Sequence, residues 1–457
     1  MRASSLALAL AIALVGCDGE RAQKHQHPRE PAVLADAGVG ATAIEPTPAP
    51  ACTHGFLDAP PGTLDFLFAG LGAAETGEPG GRVVAVVFGD SHTAGDAMTS
   101  RLRTTFQRRF GDAGRGTVGA GAPPAKHYYQ RDVKYGRTGT WTAAVAGKRG
   151  NEEPFGLAGV RVSGTKKGSQ LWVETCGDCP AGQRTAQFEI LYYAAPDHGL
   201  LRYRVDEGAW TDLPTRTAAF EPPHPARQVV PVPDGPHRLT LEHGGGGVID
   251  LFGVVLQRLR PGVVVDALGV VGRRLASLRS WDWSIIGEQL ATRDPRLVIL
   301  QYGTNEADDA GLVLEDLAKY YDETILRIRA AAPTASILIL GPPDMGVREA
   351  GKACNKPPKA GSDAGVVPAC EWRTPAILRE IIAVEHAAAV RNKVAFFDTF
   401  AAMGGGDQMA AWALADPPIA FKDHVHLTKL GYERWADALS GALLEDYDRW
   451  RGGAGAR

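Results

Sequence analysis

The sequence predicts an α/β protein, a parallel sheet wrapped by helices with a β-sandwich inserted into it. Three observations carry that expectation. Arg82-Val83-Val84-Ala85-Val86-Val87-Phe88 is a nearly continuous apolar run, as a strand buried on both faces requires. Segments with strand and helix patterns alternate after about residue 290, the signature of parallel βα units. Between about Trp141 and Pro261 short apolar segments follow one another with turn residues between them and no helical period, which suggests stacked antiparallel sheets.

Taken in order, Met98, Leu102, Phe106 and Phe110 recur every four residues after the first strand, and Gly111 follows them. That spacing predicts an amphipathic helix ended by the glycine. The inserted stretch offers strands at Leu171 to Glu174, Ala186 to Tyr193, Leu200 to Val205, Val229 to Val232, His237 to Glu242 and Val248 to Gln257. Leu297 to Tyr302 reads as a strand, and Leu314 to Ala331 as a helix with Leu314, Leu317, Tyr321, Ile325 and Ile328 on one face. Ser336 to Leu340 is a further strand. Thr374 is expected to cap a helix with Pro375 at its first position, running to about Arg391 before the strand Val394 to Phe397. Tyr432, Trp435, Leu439 and Leu443 mark the last helix. The α/β domain therefore spans 53–140 and 262–450, and the inserted domain 141–261.

The first residues have another use. Met1-Arg2 and the apolar run Leu6 to Val15 are too short to span a bilayer and read as a secretory signal. The run ends in Leu14-Val15-Gly16-Cys17, which resembles a bacterial lipoprotein lipobox. The resemblance implies removal of 1–16 and acylation of Cys17, and so a membrane-anchored protein of the bacterial cell envelope, facing the periplasm or the exterior. Several acyl chains on one residue hold a protein on a membrane stably. Asp18 resembles the inner-membrane retention signal of enteric bacteria, a rule that leaves the choice of membrane open here. Residues 17–52 are rich in Pro, Ala and Gly without apolar period, and read as a flexible tether. As a coil it would reach roughly 30 Å.

Six cysteines less Cys17 leave Cys52, Cys176, Cys179, Cys354 and Cys370, an odd number that suits an oxidising compartment with one thiol left over. Cys176-Gly177-Asp178-Cys179 reads as a tight local disulfide, half a zinc site being the alternative, for which no second pair stands at metal spacing. Lys plus Arg is 49 against Asp plus Glu 52, a net charge of -3, so no basic field exists to hold a nucleic-acid backbone.

The chemistry sits at strand ends. Gly89-Asp90-Ser91-His92 follows the first strand directly, so Ser91 lies at the carboxyl edge of a parallel sheet, where such sheets place their ligands. Near the other end, Asp423-His424-Val425-His426 forms a turn before the last helix. Its spacing lets Asp423 hold the Nδ1 proton of His426 while Nε2 accepts the proton of Ser91, the arrangement that activates a hydroxyl nucleophile. Gly269-Val270-Val271-Gly272 and Gly303-Thr304-Asn305-Glu306 lie at further edges.

These four segments, in their order along the chain, resemble the blocks of the SGNH/GDSL hydrolase superfamily. The resemblance implies an SGNH-type α/β/α fold with Ser91, Asp423 and His426 as catalytic residues. It implies an oxyanion hole made by Ser91, the Gly272 backbone and the Asn305 amide. Gly269 competes with Gly272 for its role, and Glu306 stands where many members carry Asp. His92 and His424 read equally well as packed histidines. Thr93 takes the last position of a Gly-x-Ser-x-Gly elbow, which disfavours an ordinary α/β-hydrolase. Gly114-Arg115-Gly116-Thr117-Val118-Gly119 matches a dinucleotide fingerprint in letters, yet it follows a helix where the fingerprint must follow a strand. No cofactor and no metal is implied.

Within the superfamily, Gly89-Asp90-Ser91-His92-Thr93-Ala94-Gly95-Asp96 and the inserted β domain look like the peptidoglycan O-acetylesterases, whose insertion resembles a carbohydrate-binding jelly roll. The expectation is a serine esterase acting on an acetylated cell-envelope polysaccharide, most of all peptidoglycan, with the membrane as a partner through Cys17. A glycan O-acetyltransferase using the same residues and a non-catalytic glycan-binding lipoprotein are the alternatives.

Overall fold

The structure, a computed structural model, describes residues 55–121, 126–148, 150–348 and 372–454. The signal segment, Cys17, the tether, Cys52, Cys354 and Cys370 lie outside the described residues. At the centre is a six-stranded sheet in the order Leu57–Asp58, Ala395–Phe397, Ser336–Leu340, Leu297–Gln301, Arg82–Gly89 and Gly262–Gly269. All neighbours are parallel except the edge strand Leu57–Asp58.

The apolar run of the central strand is explained by its two faces. Val83, Ala85 and Val87 join a core under the helices Asp65–Thr76, Ala97–Phe110 and Lys429–Ala454. Val84, Val86 and Phe88 join a second core under Trp283–Arg293, Leu314–Ala331 and Ala376–Asn392. Each such fully buried side chain contributes about 1.5–3 kcal/mol relative to an exposed one. The result is a sheet between two helical layers, the α/β/α arrangement.

The inserted part is a sandwich of two antiparallel sheets. One has the order Thr211–Pro214, Leu200–Val205, Arg238–Gly245, Gln170–Thr175 and Val133–Thr138. The other runs His224–Gly235, Thr185–Ala194, Ile249–Gln257, Val160–Gly164 and Trp141–Val145, with Gly116–Val118 added beside Ile249–Gln257. Leu171, Val173, Leu201 and Leu241 of the first sheet share one core with Phe188, Ile190, Ile249 and Leu251 of the second.

Two expectations need correction. The sandwich draws strands from Gly116 and Val133, ahead of the boundary at 141: Val133–Thr138 buries little of its length, and Gly116–Val118, though buried, is only three residues long, so neither leaves a clear sequence pattern. Thr374 does not cap the next helix. Its hydroxyl donates to Asp344 Oδ1 at 2.6 Å, and Pro375 takes the capping position before Ala376–Asn392.

The described residues cluster as one compact unit. Buried charges lie where its α/β part meets the sandwich. Asp266, on the Gly262–Gly269 strand, accepts the Thr117 N–H at 2.7 Å and pairs with Arg293 Nε at 2.9 Å. Arg103, on the helix after Ser91, pairs with Asp132 at 2.5 Å and with Asp96 at 3.3 Å, while Asp96 also binds Arg115 at 2.6 Å. All four of these last side chains are buried. Cys176 and Cys179 are joined in a disulfide, with 5.3 Å between their Cα atoms, as their spacing suggested.

Candidate active site

The central strand ends at Gly89, where only glycine fits, since a Cβ there would lie 2.2 Å from Thr93 Oγ1 and 2.7 Å from Gln301 Oε1. The chain then turns into the short helix Ser91–Ala94, capped by Asp90, whose Oδ1 accepts the His92 N–H at 2.9 Å. His92, Thr93 and Ala94 point into the protein and Ser91 remains half-buried at the surface. Burial pushes the His92 imidazole down to about 3, with the His426 charge acting in the same direction. His92 is thus a neutral packing group, whose Nδ1 lies 2.9 Å from the Tyr432 hydroxyl.

The other half of the site is a local turn. Asp423 Oδ1 accepts the N–H groups of Val425 and His426 at 3.0 Å each, and Oδ2 lies 2.8 Å from His426 Nδ1. His426 Nε2 in turn lies 2.9 Å from Ser91 Oγ. Ser91, His426 and Asp423, separated by more than 330 residues at their extremes, therefore form one continuous hydrogen-bonded chain. The Asp423 contact raises the pKa of His426 above its ordinary value, against the opposing effect of partial burial. Partial burial would push the Asp423 carboxyl up. The hydrogen bonds from His426 and Val425 outweigh it and hold Asp423 well below the carboxylate range. Such a chain can draw a proton from a serine hydroxyl and stabilise the imidazolium that results.

The turn is braced from outside. His424 adopts left-handed backbone, φ 56°, which costs roughly 1–3 kcal/mol and must be compensated by contacts. Its N–H donates to the Phe421 carbonyl at 3.0 Å, and its own carbonyl accepts from Gly346 at 2.7 Å. Its ring stacks on Trp372, centroids 3.8 Å apart and 16° from parallel, and the Arg348 guanidinium lies over the same indole.

The two second-block glycines have different roles. A Cβ on Gly269 would lie 2.2 Å from the Ala94 nitrogen, so Gly269 permits the nucleophile turn to pack on the neighbouring strand. Gly272 has φ 69° and open space on its Cβ side. Among the described residues neither the Gly272 nor the Ser91 N–H has an acceptor, which leaves two backbone donors at the same sheet edge. Asn305 is engaged instead: its Nδ2 donates to Asp90 Oδ2 at 3.2 Å and to the Arg273 carbonyl at 3.1 Å.

Several groups support the site through contacts that the sequence did not indicate. Glu306 is buried and accepts the Leu275 N–H at 2.7 Å and the Gly303 N–H at 2.9 Å, tying the second and third blocks together. The Tyr128 hydroxyl accepts the Val271 N–H at 3.2 Å. Position in the third block was the only available signal for Glu306. Nothing local marks Tyr128 or Trp372, because their contacts join segments far apart in the chain. Among the described residues the single grouping with metal-ligand spacing is Cys176, Asp178 and Cys179, and its two sulfurs are bonded to each other.

Fold and site together resemble those of the SGNH/GDSL-type ester hydrolases. Comparison with known proteins agrees. Residues 235–434 match the GDSL-like lipase/acylhydrolase family, a stretch that contains Gly272, Asn305, Asp423 and His426 and leaves Ser91 outside it. A solved peptidoglycan O-acetylesterase superposes with a TM-score of 0.66 and 25% identity, covering 84% of this chain and 96% of that one. Looser matches include an acetyl xylan esterase, with 16% identity, 39% and 80% coverage and a TM-score of 0.27. Another is a family two carbohydrate esterase from Clostridium thermocellum in complex with cellohexaose, with 11% identity, 66% and 98% coverage and a TM-score of 0.27. No curated protein matches the chain significantly.

Proposed function

We propose that the protein is a serine esterase that removes O-acetyl groups from a cell-envelope polysaccharide, and that this polysaccharide is peptidoglycan. The observation that carries the reading is the hydrogen-bonded chain Ser91–His426–Asp423 beside the unpaired N–H groups of Ser91 and Gly272. The choice of substrate is supported by the likeness to a peptidoglycan O-acetylesterase over most of both chains.

In this mechanism Ser91 Oγ attacks the acetyl carbonyl while His426 Nε2 takes its proton. The tetrahedral oxyanion is met by the Ser91 and Gly272 amides and by the Asn305 amide. His426 returns the proton to the sugar oxygen as it leaves, and acetyl-Ser91 remains. Water, deprotonated by His426, then releases acetate and restores the hydroxyl. Asp423 fixes the imidazole tautomer and favours the imidazolium formed in each half.

Acetate release from O-acetylated peptidoglycan, measured beside acetylated xylan and a chromogenic acetyl ester, tests the reading. Turnover of all three that disappears in Ser91→Ala, with peptidoglycan preferred, is the expected result. Xylan preferred over peptidoglycan would overturn the substrate, and an active Ser91→Ala enzyme would overturn the mechanism. The lipobox supports a companion proposal, that acylated Cys17 holds this activity at the membrane. Cys17→Ser should then leave the membrane fraction in detergent-free extracts, and unchanged partition would refute the anchor.

A further inference from the structure

Asp90 stands immediately before the proposed nucleophile, and its carboxyl is fully buried. Its two oxygens do different things. Oδ1 caps the Ser91–Ala94 turn through the His92 N–H, and Oδ2 accepts from Asn305 Nδ2. The second hydrogen of that amide goes to the carbonyl of Arg273, the residue after Gly272. One amide group therefore touches the segments that carry all three expected oxyanion donors: Ser91 follows Asp90, Gly272 precedes Arg273, and the third donor is Asn305 itself.

Both amide hydrogens have acceptors, so Asn305 can serve an oxyanion only by exchanging one of them. The two contacts are nearly equal in length, 3.2 Å to Asp90 and 3.1 Å to the Arg273 carbonyl, and burial pushes the Asp90 carboxyl up to about 7, so charge does not separate them. Placement does: the other oxygen of Asp90 is tied to the His92 N–H inside the turn that carries Ser91, so a bond to Asp90 keeps Asn305 in register with that turn. The Arg273 carbonyl is then the contact free to give way.

We infer that Asp90 is a positioning residue of the oxyanion hole, the fixed anchor that keeps the Asn305 amide in register with the Ser91 and Gly272 N–H groups. The inference rests on the esterase reading above and deepens it. Asp90 does not touch substrate; it acts through Asn305. An isosteric amide at position 90 keeps one acceptor oxygen where the carboxylate has two, so it can cap His92 or hold Asn305 without doing both as well. Serine at that position keeps a good cap and loses the reach to Asn305.

The test is a double-mutant cycle on the full chain with a chromogenic acetyl ester, read as separate kcat and KM. Loss of one oxyanion donor typically lowers turnover about 100- to 1,000-fold, so Asn305→Ala should fall in that range with KM little changed. Asp90→Asn and Asp90→Ser should each lower kcat about tenfold or more, again with little change in KM, as the loss of an interaction made in the transition state does. In the Asn305→Ala background the same two changes should have less than about a twofold effect, because the group they act through is gone. Equal effects of the Asp90 changes in both backgrounds, or an effect confined to KM, would overturn the inference and leave the esterase reading intact. A Ser91→Ala enzyme with full activity would instead overturn the reading beneath it. If Asp90→Asn does not fold, Asp90→Ser carries the comparison.

Discussion

The two sides of the candidate site are built differently. The nucleophile side follows a strand buried on both faces and is backed by Asp90, Asp96, Arg103 and Arg115, all buried. The base side is a turn of four residues at the surface, with the side chains of His426 and Asp423 37% and 49% exposed. One side is positioned by the interior of the molecule. The other is positioned by its own backbone hydrogen bonds and by the stack of His424 on Trp372. A hydroxyl nucleophile has to be fixed relative to the oxyanion donors, whereas the imidazole needs access to solvent and product as the proton moves in and out.

The largest expected effect removes the chemistry itself. Ser91→Ala or His426→Ala should lower kcat by about 10^4-fold or more on an acetyl ester, with folding unchanged by circular dichroism. Activity within tenfold of the parent would break the assignment of both sides.

The next prediction separates the sides by stability. Asp96→Ala leaves Arg103 and Arg115 buried without their shared partner, and removal of one member of a buried ion pair costs about 3–5 kcal/mol. Urea unfolding should show that loss. An Asp96→Ala protein as stable as the parent would mean that the buried charges do not brace the nucleophile side.

A third prediction concerns pH. His426 must be neutral to act as a base, and Asp423 raises its pKa above the ordinary value of 6.5. Activity should therefore fall as pH drops through a point above 6.5, and in Asp423→Asn the residual activity should fall at a lower pH. An acidic limb that stays in place in Asp423→Asn would show that another group sets it.

The smallest effect is expected at Trp372. Aromatic stacking contributes roughly 0.5–1.5 kcal/mol beyond burial, so Trp372→Ala should lower kcat by about tenfold at most and leave global stability nearly unchanged. A loss of stability as large as that of Asp96→Ala would place the stack among the structural braces.

Much of this could be read from residues in a row. The Val83–Phe88 run announces a strand covered on both faces, because it is short, rich in β-branched valine and apolar at every position. Met98 to Phe110 and Leu314 to Ala331 announce helices by their period, and both are helices with those residues inward. The positions of Ser91, Gly272, Asn305, Asp423 and His426 were legible because each sits beside a strand end or in the turn before the last helix. Context also decided against a local match. Gly114-Arg115-Gly116-Thr117-Val118-Gly119 has the letters of a dinucleotide fingerprint but follows a helix, and in the structure Gly116–Val118 is a strand of the sandwich and Arg115 is buried against Asp96.

Sequence alone determined many of the elements and which residues stand at the strand ends, because period, turn residues and strand ends are local properties of the chain; helices such as Asp65–Thr76 and Trp283–Arg293 were not marked by it. Only the tertiary structure decided what those residues touch. The 2.9 Å contact of Ser91 with His426, the choice of Gly272 over Gly269 as the glycine with open space, and the hold of Asp90 on Asn305 all join segments far apart in sequence. The physical reason is that a hydrogen bond requires placement to within a few tenths of an ångström. Such placement comes from the packing of a sheet, its two helical layers and a sandwich clamped to them by buried charges, and no local pattern encodes it.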